Sequence, residues 1–200
     1  MKNPEKINLI KNELLQIENL DVLETLSELK RFSRDFYDYS PILTKELKDC
    51  MAELVVKPKT IEAVISVAHK CNIHDISLTI RGSGTGNYGQ CVPLNGGVVM
   101  IMSALNKIRS FNEMNSEVIV ETGCLLGELE AELIKYGRQL RLLPSTWRTA
   151  SIGGFIAGGS GGIGSVKWGF LRDPGNLLGL EIITVDNPPK RLNLDISSSE

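Results

Sequence analysis

The sequence predicts an α+β domain built from two α/β lobes. Its 200 residues are 42% hydrophobic, enough to bury a core. Residues 54–80 change from strand to helix spacing and back, and residues 108–136 repeat strands followed by a helix. We expect a first lobe at 49–105 and a second at 106–190, with a helical appendage at 1–48 and a flexible tail at 191–200.

The amino-terminal segment predicts helices. Apolar residues in 5–31 recur at the spacing of one or two amphipathic helices, with Val22 and Leu23 among them. The first twenty residues alternate charged and apolar side chains, without the long apolar run of a signal peptide or membrane span. We therefore expect a cytoplasmic protein with no membrane span.

The sequence of the first lobe predicts a strand, a helix and a second strand, followed by a loop and a third strand. Strands are expected at 54–56, 76–80 and 97–102, with Thr60 as the N-cap of the helix between the first two. The expected apolar face of that helix consists of Ile61, Val64, Ile65, Ala68 and Cys71.

The second lobe predicts strands at 108–111 and 117–121, then a helix at 125–136. Leu126, Leu129 and Leu133 would form its buried side, and Gly137 would end it. Residues 177–186, LLGLEIITVD, predict a last strand of buried character. The polar residues after it have nothing downstream to pair with.

Charge and cysteine spacing exclude several functions. The 22 basic and 24 acidic residues nearly cancel, and no basic run could follow a phosphate backbone, so we expect no nucleic-acid partner. The four cysteines stand singly and the two histidines lack a ligand spacing, so we expect buried free thiols and no metal site.

Residues 81–90, RGSGTGNYGQ, form the first of two glycine-rich segments. They contain the pattern G-x-G-x-x-G, but a strand follows where a dinucleotide fingerprint requires a helix. They also lack the G-K-[ST] of a Walker loop. The alternatives left open are a flexible loop that binds nothing and a nest whose N–H groups bind phosphate oxygens. If the loop is such a nest, the charge of Arg81 at its mouth and the nearby hydroxyl and amide groups would suit a pyrophosphate.

The second glycine-rich segment is 153–164, where seven of twelve residues are glycine. Such density costs backbone entropy, so something must approach the main chain closely. Residues 151–154 could begin a short helix whose free N–H groups point at a ligand. One dinucleotide explains two such segments better than two small anions do.

Five segments together carry a family resemblance. They are VVKPKTIEAVISVA, IRGSGTGNYGQCVP, VIVETGCLLGELEAELIKYGRQL, LPSTWRTASIGGFIAGGSGG and WGFLRDPGNLLGLEIITVD, within about residues 33–186. In this order they resemble the FAD-binding domain of the vanillyl-alcohol oxidase and para-cresol methylhydroxylase (PCMH) family. The similarity is greatest to its glycolate oxidase and D-lactate dehydrogenase branch.

The resemblance implies a PCMH-type domain with FAD wedged between two lobes. The implied pyrophosphate loop comprises Arg81, Gly82, Ser83, Gly84, Thr85, Gly86, Asn87 and Tyr88. The implied second group of FAD-binding residues comprises Pro144, Ser145, Thr149, Ser151, Ile152, Gly153, Gly154, Gly158, Gly161, Gly162, Ile163 and Gly164.

The resemblance also implies a flavin-dependent oxidation of a small 2-hydroxy acid or related alcohol. Some family members bind FAD covalently, but the matching positions here are Thr85 and Trp147, so dissociable FAD is expected. The resemblance also implies a further carboxyl-terminal part, with the cap domain that holds substrate and base, which we expect to lie outside these 200 residues. The catalytic residues are therefore unknown. The alternatives are a partner chain that supplies this part, a non-catalytic nucleotide-binding subunit, or a truncated fragment.

Overall fold

A computed structural model describes residues 4–196 of the chain. The chain divides into two compact units. The first runs through Ala104 and includes Ile183–Arg191, and the second comprises Leu105–Ile182 and continues from Leu192. None of the helices within the described residues is long and apolar enough to span a membrane.

The first unit contains a mixed sheet with helices packed against it. Its elements are α1 Pro4–Leu14, β1 Leu20–Leu23, α2 Leu26–Phe32, a 3-10 turn at Tyr37–Tyr39, α3 Pro41–Leu47, β2 Leu54–Pro58, α4 Ile61–Ile73, β3 Leu78–Arg81 and β4 Val98–Ile101. The sheet order is β1-β2-β4-β3. Strand β1 is antiparallel to β2, whereas β2, β4 and β3 are parallel.

The core of this unit follows the alternation of the central strands. Val55, Val99 and Ile101 form one apolar face, against which Leu29 and Phe32 of α2 pack. The alternate residues of β2 and β4 are also buried, so both faces of the sheet are covered. Both central strands accordingly consist of almost continuous apolar residues.

Helix α4 begins as predicted, but its buried face is rotated. The Thr60 hydroxyl accepts a hydrogen bond from the Ala63 N–H at 3.2 Å, which confirms the N-cap. The buried residues of the helix are Ala63, Val64, Val67, Ala68 and Cys71. Ile61 and Ile65 are only partly buried, because contacts with α1 and β2 select a neighbouring stripe of the helix.

The amino-terminal segment is more than a helical appendage. Val22 and Leu23, which the sequence assigns to a helix, lie in β1 and pair with Val56 and Val55. The segment therefore supplies an edge strand to the first sheet. Pairing with β2 outweighs the helical spacing of these residues.

The second unit contains a hairpin, three helices and a two-stranded ribbon. Its elements are β5 Ile108–Asn112, β6 Glu117–Val120, α5 Leu126–Ile134, α6 Ile152–Ala157, α7 Ser165–Trp168, β7 Gly179–Ile183 and β8 Arg191–Asp195. Leu126, Leu129 and Leu133 are buried as predicted. Gly137 has φ +68°, which confirms the glycine stop after α5.

The ribbon of β7 and β8 corrects two expectations about the end of the chain. Strand β7 is not buried, since each of its residues is exposed or only partly buried. The first five residues of the expected tail form β8, which pairs with β7. These residues pair with β7, which precedes them in the sequence. The expectation considered only residues that follow them. The rest of the expected tail from residue 197 lies outside the described residues.

Candidate cofactor site

The first glycine-rich loop begins at the carboxyl end of β3. Because β3 and β4 are parallel, residues 82–97 must return along the sheet to reach the start of β4. Ligands of parallel sheets are commonly bound beyond the carboxyl ends of the strands. The predicted pyrophosphate loop therefore begins at a position suited to binding a ligand.

The loop leaves its backbone donors free. Within residues 4–196, no protein acceptor receives a hydrogen bond from the N–H groups of 82–87. Gly84 adopts φ +72°, a conformation that glycine accepts without steric cost. The Ser83, Asn87 and Tyr88 residues are exposed, with Tyr88 at 72%. A run of free N–H groups suits the phosphate-binding nest expected from the sequence.

Arg81 does not lie at the mouth of the loop. It is only 7% exposed, and its guanidinium donates to the Phe32 carbonyl at 3.3 Å and to Cys91 Sγ at 3.0 Å. A Cβ added to Gly84 would meet the Arg81 guanidinium, so the arginine packs directly against the loop backbone. Arg81 therefore supports the loop from within the protein, which corrects the expected position at the mouth, while its contact with FAD stays a prediction.

Asp35 is the residue that sequence reasoning missed. Its Oδ1 accepts from the Tyr37 N–H and its Oδ2 from the Gly89 N–H, both at 2.9 Å. The Phe36 N–H donates to the Gly86 carbonyl at 2.9 Å. Residues 35 and 36 therefore hold the far half of the loop. No local pattern indicates this, because the partners are about fifty residues apart in sequence.

The second glycine-rich segment begins with α6 as predicted, but two of the four N–H groups at 151–154 already donate to the protein. The Ile152 N–H donates to the Cys124 carbonyl and the Gly153 N–H to the Thr122 carbonyl, both at 2.8 Å. Among the described residues, the Gly154 N–H has no acceptor. Of the free helix start predicted at 151–154, the N–H groups of Ser151 and Gly154 therefore remain without an acceptor within the described residues.

Close approach of the protein's own backbone explains several glycines of this segment. A Cβ on Gly153 would lie 1.8 Å from Thr122 Oγ1. A Cβ on Gly162 would lie 1.9 Å from the Leu143 carbonyl oxygen, and one on Gly164 would lie 1.8 Å from that of Arg141. These contacts bring 162–164 against 141–144. The expected close approach is present, but at these three glycines the approaching group is the chain itself.

Some polar groups of the second segment remain available to a ligand. The Ser151 side-chain oxygen is buried and has no hydrogen-bond partner within the described chain. The N–H groups of 161–164 are also without a protein acceptor. Buried polar groups are normally satisfied, so Ser151 Oγ fits a site that a polar ligand completes, and the exposed or half-buried residues 161–164 offer N–H groups that a ligand can reach.

The remaining predicted residues lie on a turn before α6 and on the loop after it. Ser145 and Thr149 are exposed, and the Pro144 carbonyl accepts from the Trp147 N–H at 3.0 Å. Ile163 is 87% exposed, and Gly158 also lies at the surface. Gly162 packs against Pro144, so these two predicted residues do meet.

Metal chemistry finds no support in the side chains. Within residues 4–196, no group of three or more His, Cys, Asp or Glu side chains could hold a metal ion. The cysteines are free, and burial raises the pKa of the Cys71 thiol to about 12. Burial also raises the pKa of the Cys91 thiol, an effect that the Arg81 guanidinium partly offsets.

Solved structures share this fold. An alkyldihydroxyacetonephosphate synthase matches with a TM-score of 0.74 and 21% identity, over 96% of this chain and 38% of the other. A variant of Physcomitrella patens BBE-like 1 matches with a TM-score of 0.75 and 18% identity, over 93% and 37% respectively. At such identities the matches describe the fold alone.

Sequence relatives include two dehydrogenases and one oxidase subunit. D-lactate dehydrogenase of Anaerostipes hadrus is 33% identical over 121 residues, 60% of this chain and 25% of that protein. Glycolate oxidase subunit GlcD of Bacillus subtilis (strain 168) is 29% identical over 133 residues, 66% of this chain and 28% of that protein. Mitochondrial D-2-hydroxyglutarate dehydrogenase of Arabidopsis thaliana is 29% identical over 135 residues, 68% of this chain and 24% of that protein.

The chain thus spans about a quarter of the length of these relatives. A family model described as an FAD binding domain matches residues 52–188, which include both glycine-rich segments. Since the match covers more than half of the chain, this protein belongs to the family of FAD binding domains.

Proposed function

We propose that this chain binds FAD through its two glycine-rich segments and forms the FAD-binding portion of an enzyme that oxidises a small 2-hydroxy acid or related alcohol. The observation that carries the proposal is the run of unused N–H groups at 82–87, held on a supported loop. Successive free backbone N–H groups on a loop of this kind can bind phosphate oxygens. The 2-hydroxy acid class is inferred from the substrates that the relatives are named for.

The residues of the first segment would hold the FAD pyrophosphate with neutral donors. Arg81 is buried beneath Gly84, so the N–H groups of 82–87 and the exposed side chains of Ser83 and Asn87 would make the contacts. In the second segment, Ser151 Oγ and the free N–H groups of 161–164 would bind a further polar part of FAD.

FAD would be bound without a covalent bond. By the family resemblance, Thr85 and Trp147 match the positions where some members carry a histidine or cysteine linked to the flavin, and neither side chain can form that bond. The cofactor would therefore exchange with free FAD. The bound flavin would supply the hydride acceptor, while this chain's residues would fix its position.

The base and the substrate contacts would come from a cap domain or partner chain outside these residues. The chain spans about a quarter of its relatives' length, and one relative is itself named as a subunit. The same observations favour a second candidate, a nucleotide-binding subunit without catalytic residues of its own. The cytoplasmic location and the lack of a nucleic-acid partner stay predictions, and the names of some relatives place those proteins in mitochondria.

The first test is FAD retention by the purified chain. After incubation with FAD and desalting, the wild type should keep the visible flavin absorption band. Gly84→Ala should lose it, because the new Cβ would meet the Arg81 guanidinium and distort the loop at φ +72°. Gly137→Ala is the matched control, since it introduces similar strain at φ +68° with no atom within 4 Å.

The two outcomes separate clearly. If Gly137→Ala keeps the flavin band and Gly84→Ala loses it, the first loop holds FAD. If a folded wild-type chain keeps no flavin, autonomous FAD binding is wrong, and the nucleotide site needs another part of the enzyme. Circular dichroism of each protein would establish that the chain is folded.

A further inference from the structure

The structure gives Asp35 a position from which it can set the shape of the first glycine-rich loop. Its side chain is buried, with the residue 8% exposed, although a lone carboxylate strongly prefers water. Two backbone N–H groups compensate that burial, one from Tyr37 on its own turn and one from Gly89 on the loop. Asp35 therefore links the turn before α3 to the far end of the loop.

Three further contacts fix the same part of the loop. The N–H of Phe36, the residue next to Asp35, donates to the Gly86 carbonyl at 2.9 Å. The Tyr88 N–H donates to Gln90 Oε1 at 3.2 Å. A Cβ on Gly89 would lie 2.6 Å from Leu47 Cδ1, so α3 packs closely against the loop. Residues 86–90 are thus held firmly, whereas the N–H groups of 82–87 stay free.

We propose that Asp35 is a positioning residue that preorganises the 82–87 N–H groups for the FAD pyrophosphate. The proposal rests on the proposed function of this loop. Asp35 acts through Gly89 and Tyr37, and touches neither cofactor nor substrate. Because the loop is shaped before the ligand arrives, less ordering entropy is lost on binding.

The charge of Asp35 supports this role. A carboxylate behind an anion-binding loop repels a pyrophosphate, so its charge alone disfavours the ligand. In Asp35 the two N–H groups are accepted by different carboxylate oxygens, and an asparagine would place an NH₂ donor where one of those oxygens stands. Removing the negative charge alone should therefore strengthen FAD binding. Losing the hydrogen bonds that shape the loop should weaken it.

The deciding experiment compares Asp35→Asn with Asp38→Asn in the full chain. Asp38 lies on the same turn and is exposed, so its substitution removes an equal charge without touching the loop. Calorimetric titration with FAD should show about tenfold or greater weakening for Asp35→Asn, as expected for losing a hydrogen bond to a charged group. Asp38→Asn should bind FAD as the wild type does or slightly more tightly.

Unchanged or tighter FAD binding by a folded Asp35→Asn protein would overturn the proposal. Failure of the wild type to bind FAD would instead contradict the proposed function. Amide hydrogen exchange on the free wild type tests positioning even if Asp35→Asn does not fold. The Gly89 and Tyr37 amides should exchange slowly and those of 83–87 rapidly, and fast exchange at Gly89 would also overturn the proposal.

Discussion

At the scale of single residues, Thr122 distinguishes two adjacent glycines that look equivalent in the sequence. Gly153 packs against the Thr122 side chain and carbonyl, whereas a Cβ on Gly154 would meet only Ser151 Oγ, at 3.1 Å. Glycine density alone predicts a close approach for both. The identity of the approaching group depends on the fold, because Thr122 lies about thirty residues away in sequence.

This difference gives a stability prediction. Gly153→Ala should lower the free energy of unfolding by about 1–3 kcal/mol, the usual cost of forcing an extra group into a packed contact. Gly154→Ala should change it by no more than about 0.5 kcal/mol, because alanine suits a helix and its contact can relax. Urea denaturation followed by circular dichroism measures both, and equal losses for the two variants would contradict the packing described for Gly153.

At the scale of elements, Glu13 joins α1 to α4. Its Oε2 lies 2.6 Å from Lys70 Nζ and its Oε1 lies 3.0 Å from His74 Nε2. The hydrogen bond from Lys70, followed by that from His74, lowers the pKa of Glu13 against the opposing effect of desolvation. Helical spacing predicts α1, but no sequence pattern identifies its partner helix.

The lowered pKa of Glu13 predicts how this contact depends on pH. A carboxylate with a depressed folded-state pKa stabilises the fold fully above its unfolded pKa of about 4.3, and loses that contribution as pH falls through the folded value. The difference in urea midpoint between wild type and Glu13→Gln should therefore shrink from about pH 7 to about pH 3. Glu18→Gln, at an exposed position, is the control. A difference independent of pH would contradict the pairing.

At the scale of the whole molecule, the proposed function separates FAD binding from substrate oxidation. The chain spans about a quarter of its relatives, and no base is assigned on it. The chain reconstituted with FAD should therefore keep its oxidised flavin spectrum under anaerobic D-lactate or glycolate, while dithionite reduces it. Stopped-flow absorbance measures this directly. Bleaching by a hydroxy acid would show that the chain carries its own base.

The sequence by itself determined the family, most helices and strands, and both glycine-rich segments, because these depend on local spacing and backbone freedom. Only the tertiary structure decided that β4 lies between β2 and β3, that Arg81 supports the loop from beneath and that Asp35 holds its far end. The reason is physical. Strand order and buried polar contacts join residues that are tens of positions apart in the sequence. Local spacing does not indicate which of the possible partners will meet in the folded chain.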